Sequence, residues 1–290
     1  MNTPLISIGM SVYNCESTVK HTLCSVLNQT YDNWELLVFD DGSDDHTVAV
    51  VRQFRDKRIK VFADKQNKGL ACRLNQAVKE SRGDFFARVD GDDIIYPERF
   101  EKQLEYLKEN PDVDLVGSRV LVFNEQGHSV GSYPFRKTHE DICSRFWAGF
   151  YLPHPTWMGR IKWFQANPYR EDMKKAQDQE LLLRTFRYSR FACLSDVLTG
   201  YRMSCLSLKT ILTGRYYFSR ALMINERSRG GLWPMVYICQ QMMKGAVDIV
   251  AVTTGLNYKI LKHRAIQPAR AEEDQWRIVW DGCSSDKGIN

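Results

Sequence analysis

"LISIGMSVYNCESTVKHTLCSVLNQTYDNWELLVFDDGSDD", residues 5–45, reads as one complete strand–helix–strand unit. Residues 5–12 are an apolar, β-prone run, and residues 34–40 are a second one. Between them, 16–29 puts Val19, Leu23, Val26 and Leu27 on one face at helical spacing. The alternation continues outward from this unit. Residues 45–56 are amphipathic, 58–64 form a strand, and 69–83 carry Leu70, Leu74, Ala77 and Val78 along one helix face. A strand follows at 84–90, a helix at 96–110 with Pro97 near its first turn, and a strand at 114–123. Strands alternating with helices of this length imply βαβ units and a mostly parallel, Rossmann-like sheet flanked by helices, an α/β fold.

In such sheets ligands bind outside the carboxyl ends of the strands. Three polar stretches fall there: Val12-Tyr13-Asn14, "DDGSDD" at 40–45, and "DGDD" at 90–93. They are expected to line one crevice. Carboxylates at a rim are hard oxygen ligands for Mg²⁺ or Mn²⁺, which take their remaining ligands from phosphate and water. Asp92 is the expected direct ligand, and Asp90 meets the same metal or a sugar. Asp40 and Asp41 can accept hydrogen bonds from a base N–H or a ribose hydroxyl, with Gly42 and Ser43 making the turn. The same run also reads as a turn leading into a helix cap at Ser43, Asp44 or Asp45.

Composition bounds the rest. The chain has 290 residues, 43% hydrophobic and 26% charged, which suits one large α/β domain with or without an appendage and excludes a disordered chain. The net charge is +5, and residues 157–230 carry fourteen Lys/Arg against six Asp/Glu. That bias fits a phosphate-bearing substrate or an anionic membrane surface, and equally a solvated basic face. Nucleic acid is not an expected partner, because no recognition motif and no aromatic–basic interleaving accompanies the charge. Eight cysteines without a Cys-x-x-Cys pair exclude a zinc ribbon or thioredoxin-like site and point to a reducing compartment. "MNTPLISIGM" does not read as a signal peptide, so a cytoplasmic location is expected.

Beyond about residue 124 the pattern loosens. Residues 150–159 read as a loop and 175–190 as a helix. Residues 230–256 are the most apolar part, but Lys244 and Asp248 interrupt them before a spanning helix is complete. They read as helices that pack on the domain or lie on a membrane surface. The expected organisation is 1–125 and 126–205 as two halves of one domain. Residues 206–270 are expected to be a helical extension and 271–290 a tail.

The ordered motifs "ISIGMSVYN", "SVLNQTYDNWELLVFDDGSDD" and "NKGLACRLNQAVKESRGDFFARVDGDDIIYPERFEKQLEYL" resemble the family 2 glycosyltransferases of GT-A fold. They are most similar to bacterial enzymes of lipopolysaccharide, capsule and exopolysaccharide synthesis. The resemblance covers about residues 5–125 and continues more faintly to about 202. It implies an inverting transfer of a sugar from a nucleotide-sugar donor, a UDP-sugar first, to a glycan or lipid-linked acceptor at the inner face of the cytoplasmic membrane. It implies donor contacts at Ser11, Tyr13, Asp41, Asp90 and Asp92, with Asp90 and Asp92 as the family's Asp-x-Asp and Mn²⁺ or Mg²⁺ on Asp92. It implies Asp178 as catalytic base, where Gln177 departs from the family's usual Glu. His154, in "LPHPTWM", resembles the family's His-Pro-Thr segment near the acceptor. Trp157 is a candidate to stack on a sugar or support the site, though a lone aromatic is more often core, and Arg170 and Arg202 are candidates to meet pyrophosphate or, each taken singly, plain surface residues. The alternative is a non-catalytic GT-A-like binding or scaffold protein. A GT-A-like nucleotidyltransferase is disfavoured, because the loop after the first strand lacks the Gly-rich, basic pattern such proteins use.

Overall fold

The structure is a computed structural model that describes residues 3–203, 207–226, 233–254 and 266–284. Its first half follows the alternation: β1 (Ile6–Val12), α1 (Val19–Leu27), β2 (Trp34–Asp40), α2 (Thr47–Val51), β3 (Ile59–Ala63), α3 (Leu70–Glu80) and β4 (Phe85–Asp90). β1 lies between β2 and β4, parallel to both, and β3 is parallel to β2. These strands are covered on both faces, which is why they read as nearly continuous apolar runs. Ile6, Ile8, Met10 and Leu36 pack with α1 and with Phe100 and Leu104, while Leu37, Phe39 and Phe86 pack on the other face with Leu74 of α3.

One buried acid in the sheet is explained by its partners. Glu35 on β2 accepts from Ser7 Oγ at 2.8 Å, Arg82 Nη2 at 2.8 Å and Lys60 Nζ at 3.2 Å. Burial alone would raise its pKa, but these hydrogen bonds overrule it and hold the carboxyl at about 2.

The second half supplies β5 (Ile94–Ile95), α4 (Arg99–Glu109), β6 (Leu115–Phe123), β7 (Ser129–Ser132), α5 (His139–Cys143), β8 (Met158–Arg160), α6 (Ile161–Ala166), α7 (Gln177–Thr185) and β9 (Phe191–Arg202). The sheet runs β3-β2-β1-β4-β8-β6-β9-β5, with β7 on β6. β8 joins the halves by pairing antiparallel to both β4 and β6. With three residues it is too short to show a periodicity, and only its neighbours make it a strand. β9 pairs in parallel with β6 over its whole length. Its alternation is broken by Ser195 and Asp196, where the ladder shifts register.

The helical extension consists of α8 (Leu208–Glu226), whose Phe218, Ala221 and Leu222 share a core with Leu181–Leu183 of α7, and α9 (Trp233–Thr253), which lies along α8. The expected tail at 271–290 is corrected. Residues Arg270–Ser284 form a helix, α10, and 285–290 lie outside the described residues. Trp276, Val279 and Cys283 recur at helical spacing and are buried on the domain. Two glycines make the room. A Cβ at Gly200 would lie 2.2 Å from Trp276, and one at Gly127 would lie 2.2 Å from Trp280. Trp276 Nε1 donates to Gly127 O at 2.7 Å, which satisfies the buried indole.

Candidate active site

The three strand ends meet as their chain positions require. Ser11 on β1 is in register with Asp90 on β4, and Val12 with Asp40 on β2. The loops behind them are knitted together: Asp41 N donates to Val12 O, Asn14 N to Ser43 Oγ, and Asp44 N to Asn14 Oδ1. Asp45 caps the next turn, its Oδ1 accepting from Thr47 N at 2.9 Å. Gly42 holds φ +79, and a Cβ there would meet the Gln66 carbonyl carbon at 2.9 Å, so the turn after β2 needs glycine.

The two acids of that turn are engaged within the protein. Asp40 accepts from Gly42 N and Ser43 N. Asp41 is buried, and its Oδ1 accepts from Lys68 N at 2.7 Å and Arg73 Nε at 3.0 Å, its Oδ2 from Gly69 N at 3.0 Å. Arg73 is itself buried and also pairs with Asp64 at 2.6 Å. Asp41 therefore braces the loop entering α3, while Oδ2 keeps capacity for one further donor. Arg73 escaped the sequence reading, although an Arg on the apolar side of a helix pattern signals a buried ion pair. Tyr13, by contrast, is 49% exposed at the mouth of the crevice.

Asp90, Asp92 and Asp93 bring one carboxylate oxygen each within 4.8 Å of one another. Asp90 accepts from Arg88 Nη2. Asp93 is buried, its Oδ1 accepting from Arg202 N at 2.9 Å and its Oδ2 finding no partner among the described residues. Burial, Asp90 and Asp92 together raise the Asp93 carboxyl well above the usual range. Burial and the neighbouring Asp90 push Asp92 up to about 6, against the pull of Arg202. Three acids held against their own repulsion, one with an orphaned oxygen, are a donor set that fits a hard divalent cation. Asp93 and Arg88 belong to this cluster and were not singled out from sequence. Two residues before Asp90 in an apolar strand, Arg88 was the available signal. Arg202 Nε donates to the Asp92 carbonyl at 2.9 Å, and its guanidinium lies over Phe123, 4.6 Å from the ring centre. Arg170 is held by Asp172 at 3.1 Å.

Asp178 lies in the first turn of α7 and lines a cavity of about 390 Å³ together with Tyr133, Phe150, His154, Gln179 and Tyr201. Its Oδ2 accepts from Gln179 Nε2 at 3.2 Å, and its Oδ1 accepts no hydrogen bond among the described residues. Tyr201 relates this cavity to the acid cluster, since it lines the cavity and the next residue, Arg202, donates its N–H to Asp93. Burial, Asp93, Tyr133, Asp90 and Asp92 all raise the Tyr201 phenol. Tyr169 lies in the field of Arg88, Asp178 and Asp90 at once, and its hydroxyl is 2.8 Å from His154 Nε2. Burial and the Arg88 charge lower His154 well below the ordinary histidine value, so its ring is neutral.

Two candidates change meaning. Trp157 is fully buried, its Nε1 donating to Leu152 O at 3.1 Å and its ring set edge-on to His154 at 4.5 Å. It cannot stack on a sugar, and it supports His154 from behind, because its indole fills the space under the His-Pro-Thr turn. Gln177 is buried at the start of α7. Glu180, three residues further along α7, is turned toward the helix's own last turn and α8. It is buried, pairs with Arg184 at 3.2 Å, and lies 3.5 Å from Asn225 of α8.

An α/β sheet with acids at the ends of β2 and β4, and a further acid in the first turn of a helix, matches the GT-A class of domain. Among solved structures, S. aureus TarS 1-349 superimposes with a TM-score of 0.61 at 20% identity, over 97% of this chain and 80% of that one. The mannosyltransferase PcManGT from Pyrobaculum calidifontis, solved with GDP-Man and Mn2+, gives 0.60 at 14% identity, over 99% of this chain and 89% of that one. The family pattern described as glycosyl transferase family 2 matches residues 7–167. The chain belongs to that family. A Bacillus subtilis (strain 168) relative, putative glycosyltransferase EpsE, is 42% identical over 127 residues, 43% of this chain and 46% of its own length. The Escherichia coli UDP-Glc:alpha-D-GlcNAc-diphosphoundecaprenol beta-1,3-glucosyltransferase WfgD is 40% identical over 124 residues, 43% of this chain and 49% of its own. The matches thus span about half the length of these two relatives.

Proposed function

We propose that this protein transfers a sugar from a nucleotide-sugar donor, a UDP-sugar first, to a hydroxyl of a glycan or lipid-linked acceptor in surface-polysaccharide synthesis, with inversion. The observation that carries the reading is two acidic groups related through neighbouring residues of β9, Tyr201 in the Asp178 cavity and Arg202 on Asp93. One group is the Asp90–Asp92–Asp93 cluster, and the other is Asp178 with an open oxygen. The name of WfgD, which specifies a UDP-sugar and a lipid-diphosphate acceptor, supports the donor and acceptor class. So do the structures of TarS with UDP and UDP-GlcNAc.

Asp178 Oδ1 takes the proton of the acceptor hydroxyl as that oxygen attacks the anomeric carbon. Such a base must come within about 3 Å of the oxygen, or one water away. Ser11, Tyr13 and Asp41 hold the nucleoside, with exposed Tyr13 free to lie against the base. Asp92 and Asp90 would hold Mn²⁺ or Mg²⁺, which when bound supplies positive charge beside the departing diphosphate. His154, neutral and fixed by Tyr169, shapes the acceptor side without adding charge. Holding donor and acceptor in line lowers the barrier further by positioning alone. No covalent enzyme intermediate is needed. The site of action is the cytoplasmic side, where a membrane-bound acceptor presents its polar end.

A thermal-shift screen of UDP-, GDP-, dTDP- and CMP-sugars with and without Mn²⁺ tests the donor class. A ligand at a hundred times its Kd adds about 2.7 kcal/mol of stability. A shift for one nucleotide that needs the metal and is lost in Asp92→Ala is expected. Absence of a shift for every donor, with the metal present, would favour the scaffold reading.

A further inference from the structure

α8 and α9 form a pair turned inside out. Between the two helices lie polar groups: Arg215 Nε donates to Asp248 Oδ2 at 2.6 Å and Arg215 Nη1 to Gln241 Oε1 at 3.2 Å, with Gln241 buried. Outward lie apolar side chains. On α9, Met235, Val236, Met242, Met243, Val247 and Val250 are each more than half exposed. On α8, Tyr216 and Met223 are at least half exposed as well, and a groove of about 680 Å³ runs between the helices beside them. A water-facing helix shows the opposite arrangement, and contiguous apolar surface of this kind marks an interaction site.

Charge selects the partner. Residues 206–270 contain ten Lys/Arg and two Asp/Glu, a net +8, while the rest of the chain nets −3. The whole positive excess of the protein therefore belongs to the segment that carries the apolar surface. Two copies meeting through this face would bring like charges together, whereas an anionic lipid surface offers both the apolar layer and the counter-charge. Among the described residues no helix is long and apolar enough to cross a membrane, so the helices would lie in the interface.

We propose that the α8–α9 pair docks this protein on an anionic phospholipid bilayer surface. The purpose, though not the docking itself, rests on the glycosyl-transfer reading. α8 packs on α7, whose first turn carries Asp178, and Tyr237 of α9 stacks on Trp147 at 5.6 Å, three residues before Phe150 of the Asp178 cavity. A docked pair would thus set the base and its cavity close to the headgroup plane, where a lipid-linked acceptor ends.

The test uses the full chain and co-sedimentation with vesicles of phosphatidylcholine alone or mixed with phosphatidylglycerol, at low and high salt. The parent is expected to bind the anionic vesicles about tenfold more tightly than the neutral ones, and less tightly at high salt. The double variant Met242→Glu/Val247→Glu, at two exposed positions, should lose about tenfold in binding with an unchanged melting temperature. Equal binding by parent and variant, or equal binding to both vesicle types, would overturn the proposal. So would a dimer in light scattering that the same substitutions dissolve while vesicles are not bound. Transfer to a water-soluble acceptor should be the same in parent and variant, and transfer to a vesicle-embedded acceptor about tenfold slower in the variant. Equal slowing on both acceptors would argue against docking. Vesicle binding is measured without donor or acceptor, so a failure of the transfer reading leaves it a separate result.

Discussion

The crevice at the strand ends and the α8–α9 pair invert each other. At the crevice, charge is gathered at the surface of an apolar sheet, and three acids stand together with an orphaned oxygen between them. In the helix pair, charge is turned inward and paired, and apolar side chains face out. In both places a region departs from apolar-inside, polar-outside order, and each departure exposes what a partner would satisfy: a cation and diphosphate in one, a lipid surface in the other. Chemistry should thus be sensitive at the crevice and stability insensitive at the pair's outer face, and four measurements press on that contrast.

The largest effect is expected at Asp178. Asp178→Asn should lower kcat by about 10²–10⁴-fold while leaving the donor-induced thermal shift in place. Full activity in that variant would remove the base from the scheme, and with it the pairing of Asp178 with the Asp90–Asp92–Asp93 cluster. Next comes the packing of α10. Trp276→Ala deletes a buried indole seated against Gly200 and should cost about 3–5 kcal/mol in urea denaturation. A loss under about 1 kcal/mol would mean that α10 is not part of the cooperative domain.

Glu35 gives a smaller, pH-dependent effect. Its folded-state pKa is depressed from 4.5 to about 2, so the stability it adds is fully present above about pH 4.5. That stability is lost as pH falls through about 2. Discounted for the exposure of Arg82 and Lys60, it amounts to about 2 kcal/mol. Glu35→Gln should flatten this limb of the stability–pH curve, and a curve parallel to the parent's would refute the assignment. The smallest effect belongs to the helix pair. Met243→Gln, at a position 71% exposed, should change unfolding stability by no more than about 0.5 kcal/mol. A larger loss would show that this face is packed against something within the chain.

Much of the site was legible because its residues sit at places that periodicity alone locates. Asp90 and Asp92 follow an apolar run, and Asp178 opens a helix pattern, so both acidic groups are visible in the sequence itself. The partners that set their electrostatics were harder. Arg88 is a charge within a buried strand, and Arg202 reaches Asp92 from β9, 110 residues away in sequence. Trp157 reads from sequence as core or as a sugar platform, and its burial decides for the core. The α10 helix went unread because its stripe of Trp276, Val279 and Cys283 is short and its room is made by Gly127 and Gly200, far away in the chain.

By itself the sequence determined the βαβ order, the parallel first half of the sheet, the acid-bearing strand ends and the family, since each of these is written in local spacing of side chains. Only the tertiary structure decided which acids lie together, that Asp41 and Trp157 are buried, that the chain end returns to cover the sheet, and that the α8–α9 pair turns its apolar face outward. Periodicity records which side of an element is apolar, but burial and charge pairing depend on what packs against that side. The partners that fix Asp41 and Trp276 come from 27 and 149 residues away.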